Sequence, residues 1–184
     1  MSYASLAQRF RVPLGFVLGA LYLWLAQPTP ATLAVGGGIA LVGLLVRAWA
    51  AGHIVKNNQL ATTGPYAHTR NPLYFGSFLI AAGFALIGHW ALLLLVIAFF
   101  ALVYAPVIER EREHIRARFP EAYAEWERHV PSFVPRPLPW RGGASKEGGR
   151  FSLALYMRHK EWRAAIAYVA VLAFLTWRMR NGVQ

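Results

Sequence analysis

The chain has no cysteine and no aspartate, and none of its 8 acidic residues, all glutamates, precedes Glu109. The missing cysteine excludes disulfides, thiolate metal sites and cysteine nucleophiles. The 6 histidines are scattered and show no H-E-x-x-H spacing, so no metal site is expected. Neither G-x-G-x-x-G nor a Walker loop is present, which leaves a soluble Rossmann mode of nucleotide binding without support. No repeat of solenoid type is visible. Charge of either sign is absent from Asn71 to Ile108.

What is present is apolar and basic. The 184 residues suit one compact domain, and 57% are hydrophobic, arranged in blocks. There are 19 Lys and Arg against the 8 Glu, a net charge of +11. The basic residues flank apolar runs, which favours a membrane face near anionic headgroups over nucleic acid.

A bilayer span takes about 20 mostly apolar residues, and the runs predict an all-α integral membrane protein with about five transmembrane or membrane-embedded helices. The runs are 12–26, 31–52, a helical hairpin over 73–108 (73–88 and 90–108, turning near Gly88, His89 and Trp90) and 164–177. The last is short, and either spans or lies in the interface. Arg9 and Arg11 precede the first run, but Gln27–Pro30 follows it in place of a small-residue cleavage site. It is therefore expected to remain as a membrane helix. Gly36, Gly37, Gly38 and Gly43 allow close helix packing in the second run. Lys and Arg fall at the N-terminus, in the 56–70 loop and through 109–163, whereas the turns at 27–30 and 88–90 have none. The positive-inside rule makes the charged side cytoplasmic, as in a bacterial or archaeal inner membrane.

Glu109–Glu127 reads as a helix continuing out of the fourth run. Glu111, Ile115 and Arg118 lie on one face of it, and so do Phe119, Tyr123 and Trp126. Pro131, Pro135, Pro137 and Pro139 then impose an extended path, completing a 109–136 segment of helix and proline-rich chain. The basic segment 137–163 follows. Within it Trp140–Gly149 reads as a mobile loop and Arg150–Lys160 as a membrane-surface helix.

Two stretches carry chemistry: Thr63–Gly76 (TGPYAHTRNPLYFG) and the segment from Glu109 to Arg136. Pro72 sits where the third run begins, leaving open amides at a helix N-terminus, and Arg70 adds a cation that can hold a carboxylate bidentately. The plain alternative is that Arg70 anchors the span at headgroup level. Glu111 can receive an ammonium, a ribose hydroxyl or a sulfonium-bearing ligand, or belong with Glu109 and Glu113 to a ladder of pairs with Arg110, Arg112 and Arg116. Tyr66, Tyr74, Tyr104, Tyr123 and Trp126 can face a cation or form an aromatic belt. His68 and His129 are proton acceptors near neutral pH or merely interfacial.

At these residues the chain resembles the isoprenylcysteine carboxyl methyltransferase family, whose superfamily also holds membrane phospholipid methyltransferases. Gly64-Pro65-Tyr66 and Arg70-Asn71-Pro72-Leu73-Tyr74-Phe75-Gly76 are similar to its GxY…RHPxYxG signature. Glu111, Ile115, Phe119, Tyr123, Trp126 and Val130–Pro135 are similar to its E…L…F…Y..Y…VPxFxP stretch. The likeness covers about Lys56 to Arg136, and two linked motifs in order are more specific than either alone.

The resemblance implies an enzyme using S-adenosylmethionine, with the cofactor pocket at the cytosolic membrane face where the motifs meet. Tyr66, Arg70, Asn71, Pro72, Tyr74 and Gly76 would line one side. Glu111 would lie opposite, Pro131, Phe133 and Pro135 would close the pocket, and Gly64, His68 and Tyr123 would belong to it. Arg70 and Glu111 are the expected catalytic pair. The expected acceptor is a lipophilic carboxylate or a phospholipid amine. The sequence departs from the pattern at Asn71 (His in the family), Arg112 (Glu) and Trp126 (Tyr); Asn cannot serve as a base. The alternatives are an NADPH-dependent, sterol-reductase-like membrane enzyme and a non-catalytic protein that binds lipid or a partner.

Overall fold

The computed structural model describes residues 3–53, 60–142 and 150–182, and all regular structure among them is helical. The loop from Lys56 and the glycine-rich stretch up to Gly149 were singled out in the sequence. Residues 54–59 and 143–149 of them lie outside the described residues.

The order is α1 (Tyr3–Leu25), α2 (Pro30–Ala51), a 3-10 turn (Gly64–Ala67), α3 (Pro72–Gly88), α4 (Trp90–Phe99), a π-helical turn (Phe100–Tyr104), α5 (Ala105–Arg118), α6 (Pro120–His129), α7 (Leu153–Arg158) and α8 (Trp162–Asn181). Several boundaries follow directly from local chemistry. The break after Leu25 coincides with Gln27–Thr29, and Pro30 opens α2, where a missing N–H costs nothing. The hairpin turns where expected: α3 ends at Gly88, and the His89 ring nitrogen accepts from Ala91 N at 3.2 Å, capping α4.

Three expectations need correction. Glu109–Glu127 is not one helix. Pro120 disfavours the helical conformation at Phe119, whose φ of −133° and ψ of 61° separate α5 from α6. The surface helix expected over Arg150–Lys160 narrows to the 6 residues Leu153–Arg158, because Ser152 caps it by accepting from Leu155 N. The first helix starts at Tyr3 and carries Pro13 inside it, so it is longer than the apolar run 12–26.

Among the described residues, two helical stretches are long and apolar enough to cross a membrane: Pro30–Ala51, with 22 residues, and Trp90–Arg118, with 29. Shorter apolar helices cover Val12–Leu25 and Pro72–Gly88. Little of either long helix is buried, so neither is the core helix of a water-soluble domain. Val35, Leu45, Leu94 and Leu102 of these helices face outward, as do Phe16 and Trp24 of α1, 77% and 74% exposed. Apolar surface of that extent matches hydrocarbon rather than water.

The chain divides into two compact units. The first comprises 1–42, 78–111 and 166–184. Its core is Ala26, Ile87 and Leu175, with Tyr22, Leu33, Phe84, Val171 and Leu172 packed on it. Its helices approach closely because they lack side chains at the crossing. A Cβ on Gly83 would sit 2.4 Å from Gly36 O and 2.6 Å from Ala40 N. Tyr168 donates its hydroxyl to Gly37 O at 3.0 Å. Of the glycines expected to permit packing, Gly36 and Gly37 do so in this unit, while Gly38 faces open space.

The second unit comprises 43–77 and 112–165. Ala50, Tyr66, Tyr123, Trp126 and Val130 form its core, with Leu60, Ala61, Leu73, Ile115 and Trp140 against them. Arg47, inside an otherwise apolar helix, is fully engaged. Its Nε donates to Glu161 Oε2 at 3.0 Å and its Nη2 to Oε1 at 2.6 Å, while Nη1 reaches Ser77 Oγ and Leu73 O. Gly76 makes room for this arrangement, since a Cβ there would lie 2.7 Å from Arg47 Cγ and from Gly43 O.

Two stability predictions follow. Gly83→Val overpacks the helix crossing and destabilises the protein by about 2–3 kcal/mol, read as a lower thermal midpoint in detergent. Glu161→Ala strands the half-buried Arg47 and costs about 3–5 kcal/mol. The double change Arg47→Met with Glu161→Leu recovers most of that loss in the same measurement.

Candidate functional site

The polar loop begins at Gly64, which has a φ of +58°, a conformation that suits glycine. Any Cβ there would also lie 2.5 Å from the His53 ring. His53 is buried, and its Nδ1 donates to Trp49 O at 2.8 Å, which fixes the ring against the loop. After the 3-10 turn the backbone from His68 to Asn71 leaves the helical path, and the polar groups that local turns do not satisfy find partners elsewhere.

It finds them in the second motif. Trp126 Nε1 donates to Tyr66 O at 2.9 Å. Trp140 N donates to Ala67 O, and Arg136 N to His68 O, each at 2.9 Å. In return His68 Nδ1 donates to Arg136 O, again at 2.9 Å. Thr69 Oγ1 donates to Phe133 O at 2.9 Å, Arg70 N to Pro131 O at 2.9 Å and Asn71 Nδ2 to Ser132 O at 2.9 Å. The pairing of residues 67–70 with 140, 136, 133 and 131 runs antiparallel. Prolines at 131, 135, 137 and 139 have no N–H to spend on a helix, so this segment stays extended and offers carbonyls to the loop. Arg136 Nη1 also donates to His129 O at 2.8 Å, satisfying an end carbonyl of α6.

The two motifs therefore meet, inside the second unit. Tyr66 and Tyr123 are core residues beside Trp126, and Pro72 is fully buried at the start of α3. Phe133 packs edge-on against Phe75, with ring centroids 5.8 Å apart. Gly64 and Gly76 are accounted for by close packing on His53 and α2. Asn71 acts as a donor to Ser132, a role that needs no base. Tyr74 and Pro135 are half-buried, and Pro131 is exposed. Glu111 is exposed on α5 and ends the last α5 stretch of the first unit.

Arg70 sits between these groups with 11% of its side chain exposed. Nη1 donates to the Tyr123 hydroxyl at 2.8 Å and to Glu127 Oε1, and the guanidinium lies 5.7 Å from the Tyr123 ring centroid. Arg112 Nε reaches the same Glu127 oxygen at 3.2 Å. Arg70 Nε is buried and has no hydrogen-bond partner among the described residues. An unfilled donor on a held guanidinium is suited to a carboxylate or phosphate oxygen.

Sequence reasoning overlooked Glu127, Arg112 as its second partner, Thr69, and the Trp126 indole as a donor. Spacing was an available signal for the first: Glu127 is four residues after Tyr123 and therefore shares its face of α6. Among the described residues no group of three His, Cys, Asp or Glu is placed to hold a metal ion.

Comparison with known proteins identifies the family. The family model described as phospholipid methyltransferase matches residues 14–122. The cobalt-zinc-cadmium resistance protein CzcN of Cupriavidus metallidurans is 37% identical over 145 residues, covering 72% of this chain and 65% of that protein. The nickel-cobalt-cadmium resistance protein NccN of Alcaligenes xylosoxydans xylosoxydans is 34% identical over 116 residues, covering 61% of this chain and 53% of that one. The chain thus spans just over half to just under two thirds of these relatives. No solved structure matches it significantly. With more than half of its length matched by the family model, the chain belongs to the phospholipid methyltransferase family.

Proposed function

We propose that the protein transfers a methyl group from S-adenosylmethionine to a lipophilic acceptor dissolved in the membrane, at a site facing the cytoplasm. The observation that carries this reading is Arg70, whose guanidinium is held by Tyr123 and Glu127 while its buried Nε lacks an acceptor. That donor fits the carboxylate of the cofactor's amino-acid end. When bound, the cofactor supplies a methyl group activated by a sulfonium. The protein's part is to hold the two reactants in line. The acceptor's bond to the methyl carbon would form as the sulfur–carbon bond broke, with the electron pair left on sulfur.

An acceptor carboxylate is ionised at neutral pH and requires no base, giving an ester. An acceptor amine loses a proton. His68 is a candidate to take it, because its Nδ1–H is committed to Arg136 O and the neutral ring keeps a lone pair on Nε2. Glu111 is the other candidate, and Arg70 with Tyr74 is proposed to orient the ligand; the amides of Thr69, Arg70 and Asn71, expected from the sequence to be open, are engaged with Pro65 O, Pro131 O and Thr69 Oγ1. Membrane anchoring through the apolar helices and the basic flanks lets a cytoplasmic cofactor meet a lipid-phase acceptor.

Isothermal titration of the detergent-solubilised protein tests the reading. S-Adenosylhomocysteine is expected to bind, and Arg70→Ala to weaken it by about tenfold or more, the loss of one charge-assisted contact. Binding of NADPH with none of S-adenosylhomocysteine favours the reductase alternative and overturns the proposal, and binding of neither favours a non-catalytic role. Lipid analysis of cells with and without the gene is expected to reveal the acceptor as a species differing by one methyl group.

A further inference from the structure

Within the second unit, residues 150–163 are built onto the C-terminal end of α2, a helix long and apolar enough to cross a membrane. A helix leaves its last carbonyls without intrahelical donors, and this segment supplies two. Ser152 N donates to Gly52 O at 2.9 Å, and His159 Nδ1 to Ala51 O at 3.1 Å. Glu161 spends both carboxylate oxygens on Arg47, one turn before the end of α2. The Phe151 ring presses on Gly52, where a Cβ would lie 2.3 Å from it, and its centroid is 6.3 Å from that of His53. The segment is thereby fixed at the level where a spanning helix leaves the hydrocarbon.

Its outward side combines apolar and basic side chains. Phe151, Leu153 and Met157 are 49%, 64% and 52% exposed, and Leu153 and Met157, four residues apart, share a face of α7. Arg150, Arg158, Lys160 and Arg163 are exposed among them, against the one acid, Glu161. Lys160 is set apart by its backbone, with a φ of +57° in the left-handed region. It follows α7 in a Schellman turn, in which Lys160 N donates to Met157 O at 3.0 Å and Glu161 N to Tyr156 O at 3.4 Å. Glycine adopts this conformation without strain and lysine does not. The turn thus carries a costlier residue, whose charge the turn itself does not require.

We propose that this segment is a docking surface for anionic phospholipid. Phe151, Leu153 and Met157 enter the edge of the hydrocarbon, and Lys160 with Arg158 meets headgroup phosphates. The occupant follows from charge complementarity, because four exposed cations beside one committed acid match an anionic bilayer surface better than a zwitterionic one. Docking also bears on the depth of the polar loop, since Phe151 packs on His53 and His53 lies against Gly64, where the loop begins. The proposal is independent of methyl transfer. Dioleoylphosphatidylglycerol, added to the full-length protein in a neutral detergent, is expected to raise its thermal midpoint saturably and less so at high salt, and dioleoylphosphatidylcholine to raise it far less. Lys160→Gly separates the strain from the charge. It is expected to raise the midpoint measured without lipid and to increase the half-saturating concentration of phosphatidylglycerol about fivefold, the effect of one basic residue near an anionic surface. Because the change relieves strain, the variant folds. Lys160→Arg keeps both charge and strain and is expected to match the unsubstituted protein. An unchanged half-saturation in Lys160→Gly, or equal stabilisation by phosphatidylcholine, overturns the proposal. So does a lipid-independent dimer, seen by light scattering, that Leu153→Glu dissociates, since a second copy would then be the occupant.

Discussion

The second unit depends on satisfying the backbone from Tyr66 to Asn71. An extended stretch at the edge of an apolar protein cannot leave its N–H and C=O groups unpaired, since each buried orphan costs several kcal/mol in hydrocarbon. The segment after α6 meets that need. Its prolines cannot support a helix, and its carbonyls at 131, 132, 133 and 136 accept from the loop. Trp126 adds its indole N–H to Tyr66 O from the buried face of α6.

This pairing places Arg70. Its backbone N–H is tied to Pro131 O, and its side chain is thereby delivered to Tyr123 and Glu127 on α6. A guanidinium that is largely buried must be held by charge and hydrogen bonds, because its desolvation is otherwise uncompensated. Here the compensation is shared with Arg112 and is incomplete, since Nε remains without a partner among the described residues. Stability alone would favour complete pairing.

The other charged group within an apolar helix, Arg47, shows the contrast. It is held bidentately by Glu161 and also reaches Ser77 and Leu73 O, with each nitrogen engaged. It works as a staple joining residues of α2, α3 and the turn before α8. In the first unit the same economy is achieved without charge: glycine against glycine at the crossing of α2 and α3, and a small apolar core. The Cβ-free surfaces allow backbones to approach where no hydrophobic force distinguishes lipid from protein.

The sequence by itself determined the helical class, the apolar blocks, the hairpin turn at Gly88–Trp90 and the two motif segments. These are local or periodic properties: run length, proline and glycine positions, and residue spacing. It also marked Arg70 as a residue of interest, because a guanidinium beside a helix-starting proline is unusual in so apolar a chain. The break at Phe119 was equally local, and Pro120 announced it, but the strong face pattern of Phe119, Tyr123 and Trp126 masked the signal. Only the tertiary structure decided that Asn71, Thr69 and His68 spend hydrogen bonds on the partner segment. It alone decided that Glu127 rather than a nearer residue receives Arg70, and that Arg112 shares it. The loop's bonds join residues more than fifty positions apart, and a hydrogen bond at 2.9 Å depends on where two chain segments come to rest, which no spacing within either segment encodes.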